Sequence, residues 1–235
     1  MCQAGPTLLA QPAFDGQKGP YMGIAILGSG PADEAAALEL YRARCGYYDL
    51  QLAPYEALRR CAIQSLQLQP GQIVLDIGCG TGMSLDLLQQ AVGPAGRVVA
   101  VDQSRDMLEQ ARQRVERQGW GQVELVCSPA QDADLPGQAE AALFHFTHDI
   151  LQTPAALDHV LAHLAPGARL AICGLKWAPP WFAAFNPLVW WNAAQSVTTL
   201  SGLDAPWAGL AQRGARLTVE PLLCGTLFLA SGQMP

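Results

Sequence analysis

The sequence has few charged residues of either sign. Asp, Glu, Lys and Arg together make up 14% of the 235 residues, whereas half of the residues are hydrophobic. A chain of this length forms a domain with a full core, and the low charge predicts an apolar surface or pocket. The 14 basic residues are scattered and the net charge is −6. Because nucleic-acid binding needs basic residues on one face, the composition argues against a nucleic-acid partner.

Paired cysteines and long apolar runs are also missing. The seven cysteines form no C-x-x-C pair and show no metal-ligand spacing, so we expect reduced thiols in a cytoplasmic protein and no metal site. No apolar run approaches the roughly 20 residues that a membrane span needs, and the N-terminus lacks the pattern of a signal peptide. We therefore expect a soluble protein without stable membrane insertion. The sequence leaves its oligomeric state open.

A glycine-rich turn organises the chain. Residues 72–82 read QIVLDIGCGTG, an aliphatic run followed by three glycines, and a helix-like segment comes next. This is the pattern of a strand, a turn and a helix. Glycines in such a turn tolerate positive φ and let the backbone approach a ligand, while the helix N-terminus offers free N–H donors. Asp76 ends the strand and is predicted to point at the turn.

A second acidic residue lies one strand and helix later. Asp102 ends the strand predicted over residues 97–101. A carboxylate at this place in a doubly wound sheet accepts hydrogen bonds from both ribose hydroxyls of an adenosine ligand. The glycine spacing is G-x-G-x-G rather than G-x-G-x-x-G, which disfavours a nicotinamide dinucleotide.

Four separated motifs, VLDIGCGTG, VVAVDQSRDMLEQAR, VELV and LAPGARLAI, occur in an order that resembles the class I S-adenosylmethionine-dependent methyltransferases. The resemblance covers residues 41–175, and quinone-type and other small-molecule methyltransferases look similar over this core. It implies an α/β, Rossmann-like, doubly wound seven-stranded sheet, mostly parallel with an antiparallel last strand. It also implies S-adenosylmethionine as the cofactor and methyl donor, and a role in secondary metabolism.

The resemblance implies further cofactor contacts. A loosely matched Y-x-x-x-A-x-x-Y-D pattern places a tyrosine over the cofactor, although a tyrosine packed at a helix end fits the residues equally well. The D-x-S-x-x-M-L run lays its methionine against adenine, or else buries it in the core. The family's usual G-D-A is replaced around Pro129, so the adenine amino group is contacted either by Asp132 or by backbone near residues 130 and 131. The predicted cofactor contacts are Tyr41, Tyr48, Asp76, Gly78, Cys79, Gly80, Asp102, Gln103, Met107, Ala130, Gln131, Phe146 and Thr147.

The fourth predicted strand, residues 141–146, runs into the sequence HFTHD. Ligands of open α/β sheets sit at the carboxyl ends of strands, so this loop is expected to face the reactive end of the cofactor. His148 or Asp149 is predicted as the general base for a protonated nucleophile, and Tyr48 is predicted to face the sulfonium. The plainer interpretations are a loop histidine and a helix-capping aspartate.

The predicted organisation has an N-terminal extension, residues 1–31, and a single methyltransferase-like domain, residues 32–235. Within the domain, residues 176–213 form an aromatic helical insert between the fifth and sixth strands. This insert is interpreted either as a lid or acceptor-pocket wall, or as an ordinary helical layer.

The leading functional prediction is methyl transfer to a small apolar or amphiphilic molecule. One alternative is a cyclase of the azetidine-2-carboxylate synthase type. In that reaction the cofactor's own amine attacks its Cγ and methylthioadenosine is released. A further alternative is a module that binds the cofactor without turnover.

Overall fold

A seven-stranded sheet forms the centre of the protein. The structure, a computed structural model, describes residues 31–44, 49 and 52–235. The strands are β1 (Ile73–Ile77), β2 (Arg97–Asp102), β3 (Val123–Cys127), β4 (Ala139–His145), β5 (Leu164–Leu175), β6 (Arg216–Leu222) and β7 (Leu227–Gln233). They lie in the order β3-β2-β1-β4-β5-β7-β6.

The strand directions confirm the predicted fold class. The pairs formed among β1 to β5 are all parallel, whereas β7 runs antiparallel to both β5 and β6. The chain proceeds from β1 outward to β3 and then crosses to β4 on the other side of β1. The carboxyl ends of β1 and β4 therefore flank the switch in strand order, where ligands of such sheets bind.

Helices cover both faces of the sheet. They are α1 (Glu34–Arg44), α2 (Glu56–Ser65), α3 (Leu85–Val92), α4 (Arg105–Gln118), α5 (His148–Leu151), α6 (Pro154–Ala162), α7 (Asn186–Ala194) and α8 (Ala208–Gln212). Helices α2, α3 and α4 pack on the face that carries Val74 and Leu143. Helices α5, α6 and α8 pack on the face that carries Leu75 and Phe144. The alternation of side chains along each strand thus builds two apolar cores.

The fourth strand ends one residue earlier than the sequence predicts. It includes His145 but not Phe146, whose φ of 57° lies in the left-handed region. An aromatic residue rarely adopts this conformation, which turns the chain sharply out of the sheet. The Phe146 N–H still donates to the Cys173 carbonyl at 2.8 Å, so the bend is held against β5.

The segment between β5 and β6 is broken by prolines into short helical pieces. A 3₁₀ helix, Pro180–Phe185, leads directly into α7, and α8 follows. Ala193, Val197 and Leu203 form a small apolar core of their own, against which Trp177 packs. Within the described residues, no helix combines the length and the apolar character needed to cross a bilayer.

Candidate active site

The turn after β1 is closely fitted against its neighbours. Gly78, Gly80 and Gly82 have φ values of 75°, 55° and 78°. The N–H groups of residues 78 and 79 both donate to the Val101 carbonyl, at 2.8 and 2.9 Å. A Cβ added to Gly78 would lie 2.4 Å from Cγ2 of Thr147. The turn therefore needs glycine at position 78 for its space as well as for its backbone conformation.

Asp102 fixes this turn from the end of β2. Its two carboxylate oxygens accept hydrogen bonds from the N–H groups of Gly80 and Ser104, each at 2.8 Å. Burial raises the pKa of Asp102, and these two hydrogen bonds act in the opposite direction. Ser104 in turn caps α4, because its hydroxyl accepts from the Met107 N–H at 3.4 Å. The carboxylate is thus held in one orientation before any ligand arrives.

A cavity with about 790 Å³ of empty space, including its open mouth, lies beside the turn at the carboxyl ends of β1, β2 and β4. We call it the cofactor cavity. The structure brings ten of the predicted site residues to its wall: Gly78, Gly80, Asp102, Gln103, Met107, Ala130, Gln131, Phe146, Thr147 and Asp149.

The other predicted residues fall elsewhere. The wall of the cofactor cavity does not include Asp76, Cys79 or His148. The thiol of Cys79 points at the Gly80 carbonyl, and burial raises its pKa well above the ordinary value. Tyr48 lies outside the described residues, as does the side chain of Tyr41 in α1. Their proposed contacts stay predictions.

Near Asp76, three buried polar groups each leave one atom without a hydrogen-bond partner. These atoms are Oδ2 of Asp76, Nη1 of Arg59 and Nε2 of His145. Burial, and secondarily the charge of Asp102, raises the pKa of Asp76 to about 7, while Arg59 acts to lower it. Burial and the charge of Arg59 lower the pKa of His145 to about 3. Asp76 and His145 lie on the α2 face of the sheet, because strand alternation places Asp76 with Val74.

We expect Asp76→Asn to stabilise the protein without ligand, and to do so more at pH 8 than at pH 5. Between pH 3.8 and about 7 the folded protein retains a proton that the unfolded chain has lost, so the free energy of unfolding falls as pH rises through this range. Asparagine does not titrate, so the variant should not lose stability in this way as pH rises. Thermal unfolding at several pH values measures the effect, and 1 kcal/mol corresponds to about 2–4 °C. The exposed Asp86→Asn is the matched control, and equal gains for both variants would contradict the prediction.

Asp149 connects the cofactor cavity to the insert. Its carboxylate accepts from the Thr198 N–H at 2.9 Å and from the Thr198 hydroxyl at 2.9 Å. The same hydroxyl accepts from the Asp33 N–H at 2.9 Å, at the start of α1. Burial raises the pKa of Asp149, whereas the bonds from Thr198 lower it. One threonine thus joins α1, the insert and the loop after β4.

His148 faces a second cavity, which we call the insert cavity. Its Nε2–H donates to the Ser201 carbonyl at 2.9 Å, while Nδ1 is buried without a partner. This arrangement makes Nδ1 the nitrogen with a free lone pair. Burial lowers the pKa of His148 to about 4, so the ring is neutral at pH 7. The insert cavity holds about 330 Å³ of empty space and shares Phe146 and Thr147 with the cofactor cavity.

The wall of the insert cavity is mostly apolar and comes from four parts of the chain, one of which is Phe228 in β7. The loop after β4 contributes the residues just named, the end of β5 contributes Cys173 to Leu175, and the insert contributes Val197 and Leu203. Besides Nδ1 of His148, the buried hydroxyl of Thr147 also has no hydrogen-bond partner. The insert therefore borders an apolar cavity that meets the cofactor cavity at Phe146 and Thr147 and has the unpaired groups of Thr147 and His148 among its lining residues.

Comparison with known proteins relates the middle of the chain to methyltransferase domains. A model of methyltransferase domains matches residues 74–167. Over these residues the chain is similar to the class I S-adenosylmethionine-dependent methyltransferases. The matched residues form a methyltransferase domain, and S-adenosylmethionine is the methyl donor of that superfamily.

Individual relatives extend over different shares of the chain. A 2-phytyl-1,4-naphtoquinone methyltransferase from Thermosynechococcus vestitus is 28% identical over 184 residues, 76% of this chain and 80% of that protein. A protein-L-isoaspartate O-methyltransferase from Aeropyrum pernix is 35% identical over 111 residues, 47% of this chain. The chain spans 41% of the length of the Aeropyrum protein and 38% of a Streptomyces fradiae relative.

The solved N-methyltransferase NodS from Bradyrhizobium japonicum, in complex with S-adenosyl-L-homocysteine, shares the fold. It superposes with a TM-score of 0.63 at 17% identity, over 85% of this chain and 98% of that one.

The wall of the cofactor cavity also includes residues that the sequence analysis did not select. The first turn of α1 forms part of the cavity wall through Asp33, Glu34 and Ala37, and Gln131 donates to the Glu34 carboxylate. The acidic start of α1, recognisable as a helix N-terminus, was the available signal. On the α6 side, the wall includes Ile150, Thr153 and Ala156.

The adenine region differs from the family pattern as the sequence indicated. Ser128, Ala130 and Gln131 lie on the cavity wall, whereas Asp132 does not. The Asp132 N–H instead donates to the Pro129 carbonyl and closes a turn. The sequence analysis predicted that either Asp132 or the backbone near residues 130 and 131 contacts the adenine amino group. Of these, only residues 130 and 131 lie on the cavity wall.

Proposed function

We propose that the protein transfers the methyl group of S-adenosylmethionine to a small apolar or amphiphilic molecule. The observation that supports this proposal is a pair of adjoining cavities, one bordered by the glycine turn and Asp102, the other apolar and bordered by the insert. The naphthoquinone methyltransferase similarity over 76% of the chain supports an acceptor of this class. The absence of a basic cluster in the sequence supports an acceptor other than nucleic acid.

The residues of the cofactor cavity fit this ligand. Asp102 would accept the ribose hydroxyls, Met107 would lie against adenine, and the turn at Gly78 and Gly80 would admit the amino-acid part at close range. When bound, S-adenosylmethionine supplies an electrophilic methyl group on a positively charged sulfur. Phe146 and Thr147, shared by both cavities, would separate cofactor from acceptor except where the methyl group passes.

The insert cavity supplies orientation, exclusion of water and a proton acceptor. Aligning two reactants in a closed site is worth about 7–11 kcal/mol of activation free energy. An acceptor hydroxyl or amine would donate to the free Nδ1 lone pair of His148, which then takes the proton as the methyl group is transferred. Thr147 would hold the same group through its unpaired hydroxyl. Asp149 would act on the acceptor through the position of the insert, because Thr198 occupies its oxygens.

The test is to incubate the purified protein with S-adenosylmethionine, alone and with a series of hydroquinones and phenols, and to follow nucleosides by mass spectrometry. We expect S-adenosylhomocysteine to form only when an acceptor is added. Methylthioadenosine formed from S-adenosylmethionine alone, above the spontaneous rate, would establish the cyclase alternative instead. Binding without either product, across the whole series, would favour the binding module.

We expect His148→Ala to lower kcat for a hydroxyl acceptor by about 10²–10⁴-fold, because the proton acceptor is lost. The affinity for S-adenosylmethionine should change little, since His148 is not on the wall of the cofactor cavity. His148→Gln tests the same role with similar bulk. His159→Ala is the matched control, because His159 bonds to the Ala133 carbonyl and lies on the wall of neither cavity. Undiminished turnover in both His148 variants would contradict the assignment.

A further inference from the structure

Exposed apolar residues occur on the insert, shortly before the residues that line the insert cavity. Among the described residues, six of the seven large hydrophobic side chains that are exposed to solvent lie within positions 181–191. We call residues 181–191 the aromatic surface; its exposed members are Trp181, Phe182, Phe185, Leu188, Trp190 and Trp191. Trp181 is 77% exposed, Leu188 56% and Trp191 55%. Exposed apolar residues gathered in this way mark an interaction site.

The charge distribution indicates which kind of partner fits. Residues 177–203 contain no Asp, Glu, Lys, Arg or His, although the whole chain carries 34 charged residues, 14 basic and 20 acidic. A surface without charge complements a zwitterionic lipid interface, and a net charge of −6 gives no attraction to anionic lipid. Tryptophan, with an apolar ring and one N–H donor, is enriched at membrane–water interfaces.

Three polar side chains in and just after α7 donate hydrogen bonds to carbonyls of the same helix. Asn192 donates its amide to the Leu188 carbonyl at 2.9 Å, and Gln195 donates to the Trp191 carbonyl at 3.1 Å. Ser196 donates its hydroxyl to the Asn192 carbonyl at 2.8 Å. Groups paired within their own helix can enter an apolar environment at low cost, because few hydrogen bonds to water are lost. The opposite side of α7 is held to the protein by the buried Val189 and Ala193.

We propose that the aromatic surface docks reversibly into the interface of a lipid bilayer, and that the acceptor is a membrane-borne amphiphile that enters the insert cavity from there. The second clause rests on the proposed function; the first does not. The chain leads from the aromatic surface directly into Ser196 and Val197 on the wall of the insert cavity. The acceptor would thus pass from lipid to the insert cavity along apolar surface.

The test measures partition of the full chain onto phosphatidylcholine vesicles by flotation, and quenching of its tryptophan fluorescence by brominated lipid. We expect wild-type protein to bind, with no gain from added phosphatidylglycerol and little effect of salt. The triple variant Trp181→Gln, Leu188→Gln, Trp191→Gln should bind at least about tenfold more weakly, since it removes three large apolar groups from the contact. Leu223→Gln is the matched control, because Leu223 is 67% exposed but lies outside the aromatic surface.

Melting temperature and S-adenosylmethionine affinity verify that each variant is folded. Folded wild-type protein that does not partition, or a triple variant that partitions equally, would overturn the docking proposal and leave methyl transfer untouched. A wild-type dimer that ignores vesicles and becomes monomeric in the triple variant would assign the surface to self-association instead. Vesicle binding by a protein that never yields S-adenosylhomocysteine would overturn the proposed function and the identity of the acceptor, but not the docking.

Discussion

Replacing Gly78 with alanine is expected to lower the affinity for S-adenosylmethionine by on the order of a hundredfold. The added Cβ would meet Cγ2 of Thr147 at 2.4 Å, and the backbone φ of 75° disfavours any residue with a Cβ. The steric clash and the backbone strain are relieved only if the turn moves. The turn carries the Gly80 N–H that orients Asp102. Isothermal titration with S-adenosylmethionine measures the loss.

Two further variants separate the contact from the backbone strain. Gly71 has a φ of 91° and no atom within 4 Å of an added Cβ, so Gly71→Ala should cost stability and leave the affinity unchanged. Thr147→Ser removes the methyl group that Gly78→Ala would meet, and the double variant should regain part of the lost affinity. The next contact, with Cδ1 of Ile150 at 3.1 Å, is the flexible end of a side chain. Full affinity in Gly78→Ala alone would show that the ligand does not use this turn.

Asp102→Ala is expected to weaken S-adenosylmethionine binding by roughly 1.5–3 kcal/mol, which is about 10- to 150-fold. The variant loses the acceptor for the ribose hydroxyls and also releases the N–H groups of Gly80 and Ser104. Asp102→Asn keeps one acceptor oxygen and should lose less. Equilibrium titration gives both values.

Glu109→Ala provides the control for Asp102, because Glu109 is an exposed acid of the adjoining helix α4 and pairs with Arg112. It should bind as wild type does. Undiminished affinity in both Asp102 variants would place the cofactor elsewhere.

The sheet and the cofactor cavity were predictable because local and long-range patterns agree there. The aliphatic strands, the glycines and Asp102 each have a steric or hydrogen-bonding reason to occupy their positions, and strand order brings them to one edge. Ten predicted residues therefore reach one cavity wall. Prediction of their binding roles rests on the family resemblance and still awaits the titrations above.

The sequence did not predict that the residues after β4 divide between two cavities. His148 and Asp149 are neighbours in α5, and successive helical residues point about 100° apart. The direction of each is set by Thr198 and Ser201, which come from the insert about 50 residues later in the chain. For the same reason the sequence did not predict that α1 borders the cavity, since the bond from Asp33 to Thr198 joins residues 165 positions apart. Sequence patterns report local geometry, whereas these contacts depend on tertiary packing.

We expect the hydroxyl of Thr198 to link the binding of the two proposed ligands thermodynamically. It accepts from α1, which borders the cofactor cavity, and donates to Asp149, while its own segment borders the insert cavity. Any movement of the insert that an acceptor favours must alter the position of α1 over the cofactor. By reciprocity, the factor by which an acceptor tightens S-adenosylmethionine is also the factor by which S-adenosylmethionine tightens the acceptor. We therefore expect ordered or synergistic binding of the two ligands. Thr198→Val should reduce the coupling free energy between them more than it reduces the affinity for either ligand measured alone.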